Sequence, residues 1–228
     1  MDNRIFLFHR MHCIIHYPER PNGFGIFIIG GDGQYVGTET SSWIEKGRRR
    51  YFLTALLNEG YLIFYPDMTG HLFRMKETED LVMDLYEKIR RQEILNPRIH
   101  IIAEGTGTFV LEPFLKEKND AVRSIFLIQP IFTPLLLEFH WKDEPILFRR
   151  WRKERSFHGK NCEYLSNLMS HIRQYPHLIL PAEEKKEDPS GKKGSCPFHG
   201  NEVWKEMGEI EKMAGLALEL FRRAEQIL

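Results

Sequence analysis

Several acidic residues and one histidine occupy positions from which a side chain could act as an acid or a base. Glu104 comes immediately before a Gly-Thr-Gly turn, and Asp67 follows the apolar run at residues 61–65. His199 lies in the segment FHGNEVW, and three acids precede it in a charged stretch: Glu183, Glu184 and Asp188. A positioned carboxylate or imidazole can transfer protons, and burial at a pocket rim would make Glu104 a stronger base. These residues are the candidates for acid–base chemistry.

Four residues of metal-binding types cluster near the N-terminus: His9, His12, Cys13 and His16. The Ile, Phe and His content of residues 4–16 predicts one strand, along which alternate side chains point to opposite faces. His12 and His16 would then share one face. His9 and Cys13 would share the other, so at most two ligands converge on either side. A zinc site needs more, and the pattern indicates a half-buried strand without a metal.

Two other patterns suggest cofactors, but each is incomplete. Cys196 and His199 have a Cys-x-x-His spacing that can bind a metal or activate a thiolate, yet no second ligand pair accompanies them. The glycine pairs at 31–33 and 105–107 begin like dinucleotide-binding fingerprints. They lack the third glycine, since Val36 and Val110 stand at that offset, and no Walker-type lysine follows. We therefore expect no cofactor and no metal.

The elements that would position these residues alternate between strand and helix. Short apolar runs that end at glycine, proline or polar residues predict five buried strands, near 24–30, 61–66, 98–103, 123–129 and 177–182. Apolar residues at helical spacing, with charges between them, predict helices at 48–59, 76–93, 107–117, 163–173 and 202–228. The alternation predicts an α/β fold in which helices flank a mostly parallel sheet.

The order of these elements resembles the α/β-hydrolase family, a three-layer α/β sandwich, across nearly the whole chain. IFIIGGDG is similar to the strand and loop that supply an oxyanion-hole amide, and GYLIFYPDMTGH to a strand with a Pro-Asp-x-x-Gly-His-type loop. IHIIAEGTGTFVL occupies the place of the strand, nucleophile elbow and helix. The resemblance implies a single domain over residues 1–228, with an irregular cap-like insertion at about 131–175.

The elbow departs from the family pattern at the nucleophile. G-x-S-x-G places a serine on a strained turn between strand and helix, but residues 103–107 read AEGTG, with Gly105 at that position. Because glycine adopts φ > 0 without strain, the turn can persist while the nucleophile is absent. By resemblance, Thr106 would offer its backbone N–H, and Gly31 and Asp32 would belong to the oxyanion loop. We therefore predict that no acyl-enzyme forms.

The remaining catalytic positions of the family are partly filled. His199 matches the triad histidine by its place before the final helix, although a surface histidine at a helix N-terminus explains it equally well. The acid that would pair with it stays open among Glu183, Glu184 and Asp188. The strand that usually precedes the histidine is not visible; a loop at 183–195 stands there. Its charge, Gly and Pro content predicts a flexible segment.

Composition limits which binding partners and which cellular compartment we expect for the protein. Lys+Arg and Asp+Glu are both 32, so no global charge attracts nucleic acid or a membrane, and we interpret the basic runs at 48–50 and 148–155 as solvated surface. The three cysteines, at 13, 162 and 196, do not suggest a disulfide framework. The N-terminus lacks the layout of a signal peptide, and no apolar run approaches the roughly 18 residues that span a bilayer. We expect a cytoplasmic protein of undetermined oligomeric state.

Three hypotheses about function follow from these patterns. The first is a catalytically degenerate hydrolase-like protein that binds a small molecule or a protein partner. The second is an active hydrolase, similar to an esterase or thioesterase, that works without serine through Glu104, Asp67 or His199 and an activated water. The third is a different α/β fold. A Gly105 at the carboxyl edge of the sheet would exclude the third.

Overall fold

The computed structural model describes residues 2–31, 33–45, 47–70, 75–130, 168–180 and 210–226. Its strands are β1 (Asp2–Phe8), β2 (Met11–Tyr17), β3 (Gly25–Ile29), β4 (Leu62–Pro66), β5 (Ile99–Glu104), β6 (Val122–Ile128) and β7 (His177–Leu180). Its helices are α1 (Ser42–Glu45), α2 (Gly47–Asn58), α3 (Met75–Gln92), α4 (Thr108–Glu117) and α5 (Ile210–Glu225). Residues 168–172 are also helical, within the helix predicted at 163–173.

The strands form one seven-stranded sheet in the order β1-β2-β4-β3-β5-β6-β7. The pairs β4·β3, β3·β5, β5·β6 and β6·β7 are parallel, whereas β1 and β2 join antiparallel at one edge. The five predicted central strands and the mostly parallel sheet are therefore confirmed. Parallel strands end at the same edge, so the loops after β3, β4, β5 and β6 all emerge at the carboxyl edge of the sheet.

The N-terminal segment differs from its prediction. Residues 4–16 do not form one strand, because a two-residue turn at His9 and Arg10 folds the chain into the hairpin of β1 and β2. Both turn residues have positive φ, 48° and 63°, as a type I′ hairpin turn requires. Neither is the Asn or Gly that usually marks this turn, so the sequence carried no clear signal for it. The prediction that four metal-binding residues alternate along one strand is therefore wrong.

Two hydrophobic cores cover the two faces of the sheet. One packs α3, α4 and residues 168–172 against the side that includes Phe27, Phe64 and Ile101. The other packs α1, α2 and α5 against the side that includes Ile28 and Ile102. The central strands read as continuous apolar runs because both faces are buried, as expected for a parallel sheet between two helical layers. No helix among the described residues is long and apolar enough to cross a membrane.

The last helix is anchored to the sheet by a buried polar cluster. Tyr61 Oη donates to Glu225 Oε1 at 2.6 Å, and His100 Nε2 lies 3.2 Å from the same oxygen. His100 Nδ1 lies 2.8 Å from Ser124 Oγ, and its ring stacks on Phe221 at 4.4 Å. Burial holds the pKa of His100 below its usual value. Because His100 is the second residue of β5, this cluster is at the amino edge, opposite the loops that follow the strands.

At the carboxyl edge, the chain after β5 passes unusually close to β3. A Cβ atom on Gly107 would lie 2.2 Å from the carbonyl oxygen of Ile29 and 2.6 Å from that of Gly30. Backbone atoms cannot move aside as the end of a side chain can. Only glycine therefore allows α4 to begin where it does, directly against the end of β3.

We expect Gly107→Ala to lower the free energy of unfolding by about 1–3 kcal/mol or more, because the added methyl overlaps two carbonyl oxygens. Gly215→Ala in α5 is the matched control: nothing among the described residues lies within 4 Å of its Cβ position. Alanine there should stabilise by about 0.5–1 kcal/mol, since glycine is a poor residue for a helix interior. Urea denaturation measures both, and a Gly107→Ala variant as stable as the parent would contradict the close approach.

Candidate active site at the carboxyl edge of the sheet

The turn that follows β5 has the conformation predicted for a nucleophile elbow. Gly105 has φ of +53° and opens a short 3₁₀ turn, Gly105–Gly107, from which α4 continues. The Thr108 hydroxyl donates to the Gly105 carbonyl oxygen at 2.9 Å and closes the turn. No atom of the described residues lies within 4 Å of the position that a Cβ on Gly105 would occupy. The tip of the elbow thus has room for a side chain and carries none.

The loop after β3 lies against this elbow. A Cβ on Gly31 would be 3.4 Å from the Glu104 carbonyl oxygen, 3.4 Å from Thr106 Oγ1 and 3.6 Å from the Thr106 backbone nitrogen. Thr106 is buried, with 2% of its surface exposed. The structure thus brings together four of the predicted site residues: Gly31, Glu104, Gly105 and Thr106. Asp32, predicted to belong to the same loop as Gly31, lies outside the described residues.

Glu104 is part of a buried ion pair. Arg49 of α2 donates from Nη2 to Glu104 Oε1 at 2.5 Å, and the two side chains are only 1% and 6% exposed. The interpretation of residues 48–50 as solvated surface is therefore wrong for Arg49. It lies on the inner face of α2 with Phe52, Leu53 and Leu56, at the spacing of an amphipathic helix. That spacing was the signal in the sequence which could have identified Arg49 as buried.

Further contacts connect the ion pair, through Trp43 and Gln34, to the loop after β3. The Arg49 guanidinium lies 5.3 Å from the centre of the Trp43 ring, and Trp43 Nε1 donates to Gln34 Oε1 at 2.8 Å. Gln34 is fully buried; its Nε2 donates to the Pro66 carbonyl oxygen at 3.0 Å. Its backbone N–H donates to the Gly31 carbonyl oxygen at 2.9 Å. Elbow, α2 and the loop after β3 are therefore connected through buried polar contacts.

Asp67 lies at the same edge but two strands away from the elbow. It follows β4, which is separated from β5 by β3, so their ends are roughly 10 Å apart. Its Oδ1 accepts the Thr69 backbone N–H at 2.9 Å, and its own N–H donates to the His12 carbonyl oxygen at 2.8 Å. One carboxylate oxygen of Asp67 thus stabilises the turn that follows β4.

The N-terminal histidines and cysteine do not form a metal site. His9 lies in the hairpin turn and pairs with Asp84 at 3.1 Å, while His16 Nε2 lies 2.9 Å from the Tyr65 hydroxyl. Burial lowers the pKa of His16 to about 4 and raises the pKa of Cys13 to about 12. The described residues contain no group of three or more possible metal ligands. His16 and Cys13 are buried in the packing, whereas His9 is exposed, and the raised pKa of Cys13 disfavours a reactive thiolate.

Several predicted residues lie outside the described part of the chain. They are His199, Cys196 and the candidate acids Glu183, Glu184 and Asp188. Most of the cap-like insertion at 131–175 and all of the loop at 183–195 lie outside it too. The assignment of a base and an acid to this site therefore stays a prediction.

Comparison with known proteins identifies the fold. The sequence matches no protein-family model and no curated protein. Among solved structures, Est1E from Butyrivibrio proteoclasticus is similar with a TM-score of 0.58 and 11% identity, covering 97% of this chain and 100% of that one. Carboxyl esterase 2 from Tuber melanosporum has a TM-score of 0.59 and 11% identity, covering 98% and 86%. An S-formylglutathione hydrolase from Agrobacterium tumefaciens has a TM-score of 0.56 and 15% identity, covering 99% and 95%.

The protein has the α/β-hydrolase fold. The seven-stranded, mostly parallel sheet has helical layers on both faces, and the structural similarity extends over nearly the whole chain. The hypothesis of a different α/β fold is thereby excluded. At identities of 11–15%, the similarity identifies the architecture and leaves the chemistry to the residues of this chain.

We expect Arg49→Met to destabilise the fold by about 3–5 kcal/mol, because it leaves the Glu104 carboxylate buried without this counter-ion. Replacing both residues, Arg49→Met with Glu104→Met, should restore most of the loss, since no charge then remains buried. Arg50→Met, at the exposed neighbouring position, is the control and should change little. Denaturation in urea measures all three, and a single Arg49→Met variant within about 1 kcal/mol of the parent would disprove the pairing.

The low pKa of His16 predicts acid sensitivity. Burial keeps its imidazole neutral down to about pH 4, whereas the unfolded chain binds a proton below about pH 6.5. The contribution of neutral His16 to the free energy of unfolding is therefore fully present above pH 6.5, and it is lost as the pH falls toward 4 because only the unfolded chain binds the proton. Between pH 7 and pH 5 this amounts to about 2 kcal/mol. His16→Gln should reduce the fall in unfolding free energy over that interval by this amount; an unchanged fall would contradict the prediction.

Proposed function

We propose that this chain binds a small molecule at the carboxyl edge of its sheet and does not hydrolyse it. The observation that carries the proposal is Gly105, which has the backbone conformation of an elbow and no side-chain atom able to attack a carbonyl carbon. A retained architecture around a missing nucleophile is what a binding protein derived from a hydrolase would have.

Neighbouring hydroxyl groups do not replace the missing oxygen. The Thr106 side chain is buried and lies against the loop at Gly31, away from the tip of the turn. The Thr108 hydroxyl already donates to the Gly105 carbonyl oxygen. Covalent catalysis needs an oxygen at the tip, where a base and amide donors can act on it together. The described residues supply none there.

Hydrolysis by a water activated at Glu104 is the alternative function. The contact with Arg49 weighs against it, because one carboxylate oxygen accepts a charged hydrogen bond instead of a proton from water. Asp67 also accepts a backbone hydrogen bond, from Thr69, and lies two strands away. Both acids are better described as structural groups of this edge than as general bases.

We expect the unmodified protein not to react with a fluorophosphonate probe, since the probe needs a nucleophile at the elbow. Gly105→Ser tests what remains of the site. Its added Cβ meets no described atom within 4 Å, but serine must adopt a φ of +53°, at a cost of roughly 1–3 kcal/mol. Labelling of this variant, followed by intact-protein mass spectrometry, would mean that a base and oxyanion donors are still in place.

Gly105→Ala is the matched control, because it has the same backbone strain and adds no oxygen. It should lose stability equally and stay unlabelled. A folded Gly105→Ser that also stays unlabelled would mean that the base or the oxyanion donors have been lost along with the nucleophile. Labelling of the unmodified protein would overturn the proposed function.

A further inference from the structure

A residue with no predicted role, Gln129, lies beside the elbow. It directly follows β6, whose last residue, Ile128, is in register with Glu104 of β5. Gly105 and Gln129 therefore each follow the last residue of a strand, β5 and β6, and these two adjacent parallel strands lie about 4.8 Å apart. A glutamine side chain is long enough to span that separation. Gln129 is thus placed at the same edge as the elbow and the loop at Gly31.

The backbone of Gln129 has a strained conformation for which the described residues give no local reason. Its φ is +44°, in the left-handed region that residues other than glycine rarely adopt, and it precedes Pro130, which favours an extended backbone instead. The other described non-glycine residues with positive φ, His9 and Arg10, form a hairpin turn that requires this conformation. No hairpin explains it at Gln129. Such strain persists where surrounding structure imposes it, most often at functional sites.

The side chain of Gln129 is buried, and its amide oxygen is unpaired in the part of the chain that the structure describes. It is 7% exposed, and its Oε1 has no hydrogen-bond partner among the described residues. Gln34, on the neighbouring loop, shows what a structural glutamine does here: its Oε1 accepts from Trp43 and its Nε2 donates to Pro66. A buried, unpaired amide oxygen costs stability. The strained φ of Gln129 and its unpaired buried oxygen therefore both lower the stability of the fold, and no side-chain hydrogen bond to the described residues compensates for them.

We propose that Gln129 is a ligand-binding residue of the site at Gly105, and that its Oε1 accepts a hydrogen bond from a neutral donor group of the bound molecule. This inference rests on the proposed function. A buried acceptor requires a donor, which a carboxamide or hydroxyl group supplies and a carboxylate lacks. A carboxamide fits best, because its N–H and C=O can pair with Oε1 and Nε2 of one glutamine. The ligand is accordingly an amide-bearing or hydroxyl-bearing small molecule.

The binding test uses butyramide as the probe and butyrate as its charged counterpart, followed by amide resonances of the ¹⁵N-labelled protein. Butyramide should shift the resonances of Gly105, Thr106 and the Gln129 side chain. Butyrate should bind with an affinity at least about tenfold lower than that of butyramide. Gln129→Leu should weaken butyramide binding about tenfold, since the leucine offers no acceptor. Gln92→Leu, at an exposed position at the end of α3, should bind as the parent does.

A stability measurement separates a ligand-binding role from a structural one. Gln129→Leu should raise Tm by about 2–4 °C, because it removes an unpaired buried oxygen, whereas Gln34→Leu should lower Tm. A lower Tm for Gln129→Leu would overturn the proposal. If Gln129→Leu leaves butyramide binding unchanged, the site stands as a binding site and Gln129 has no part in it. If butyramide moves no resonance near Gly105 in the parent, Gln129 and the proposed binding function fall together.

Discussion

The close approach of two backbones at Gly107 is the constraint on which the carboxyl edge depends. A side chain there would overlap the carbonyl oxygens of Ile29 and Gly30, so the start of α4 can lie against the end of β3 only with glycine at this position. That approach brings the elbow into contact with the loop at Gly31 and leaves the tip at Gly105 open. The close approach at Gly107 therefore holds the turn in place, whichever residue stands at position 105.

Buried charge stabilises the same edge from the other face of the sheet. The pair of Arg49 and Glu104 connects α2 to the elbow, and Trp43 and Gln34 extend the connection to the loop after β3. Desolvating two ions is costly, and the cost is recovered only with good geometry and further hydrogen bonds. The Glu104 carboxylate thereby connects the turn at Gly105 to α2.

Much of the fold was predictable because burial on both faces produces apolar runs within the strands, as at residues 101–103 and 125–128. The turn at Gly105 was predictable as well, since its frame is that of an elbow and glycine tolerates positive φ. The hairpin at His9 and Arg10 was not, because its turn residues are not the usual ones. The burial of Arg49 was not predicted, because a run of three arginines is typical of solvated surface, although its helical spacing places Arg49 on the buried face of α2. Gln129 could not be found, because an unpaired amide and a strained backbone are properties of tertiary structure alone.

We propose that this α/β-hydrolase fold keeps the positive-φ turn at Gly105 without a hydrolase's covalent chemistry. Hydrolysis of p-nitrophenyl acetate by the unmodified protein tests it most directly, because this activated ester responds to a serine, another nucleophile or an activated water. The account predicts release of p-nitrophenol at the rate of buffer alone, with neither a burst nor saturation. Saturable turnover that disappears in Glu104→Gln would contradict it, and would make the carboxylate beside Gly105 a catalytic base.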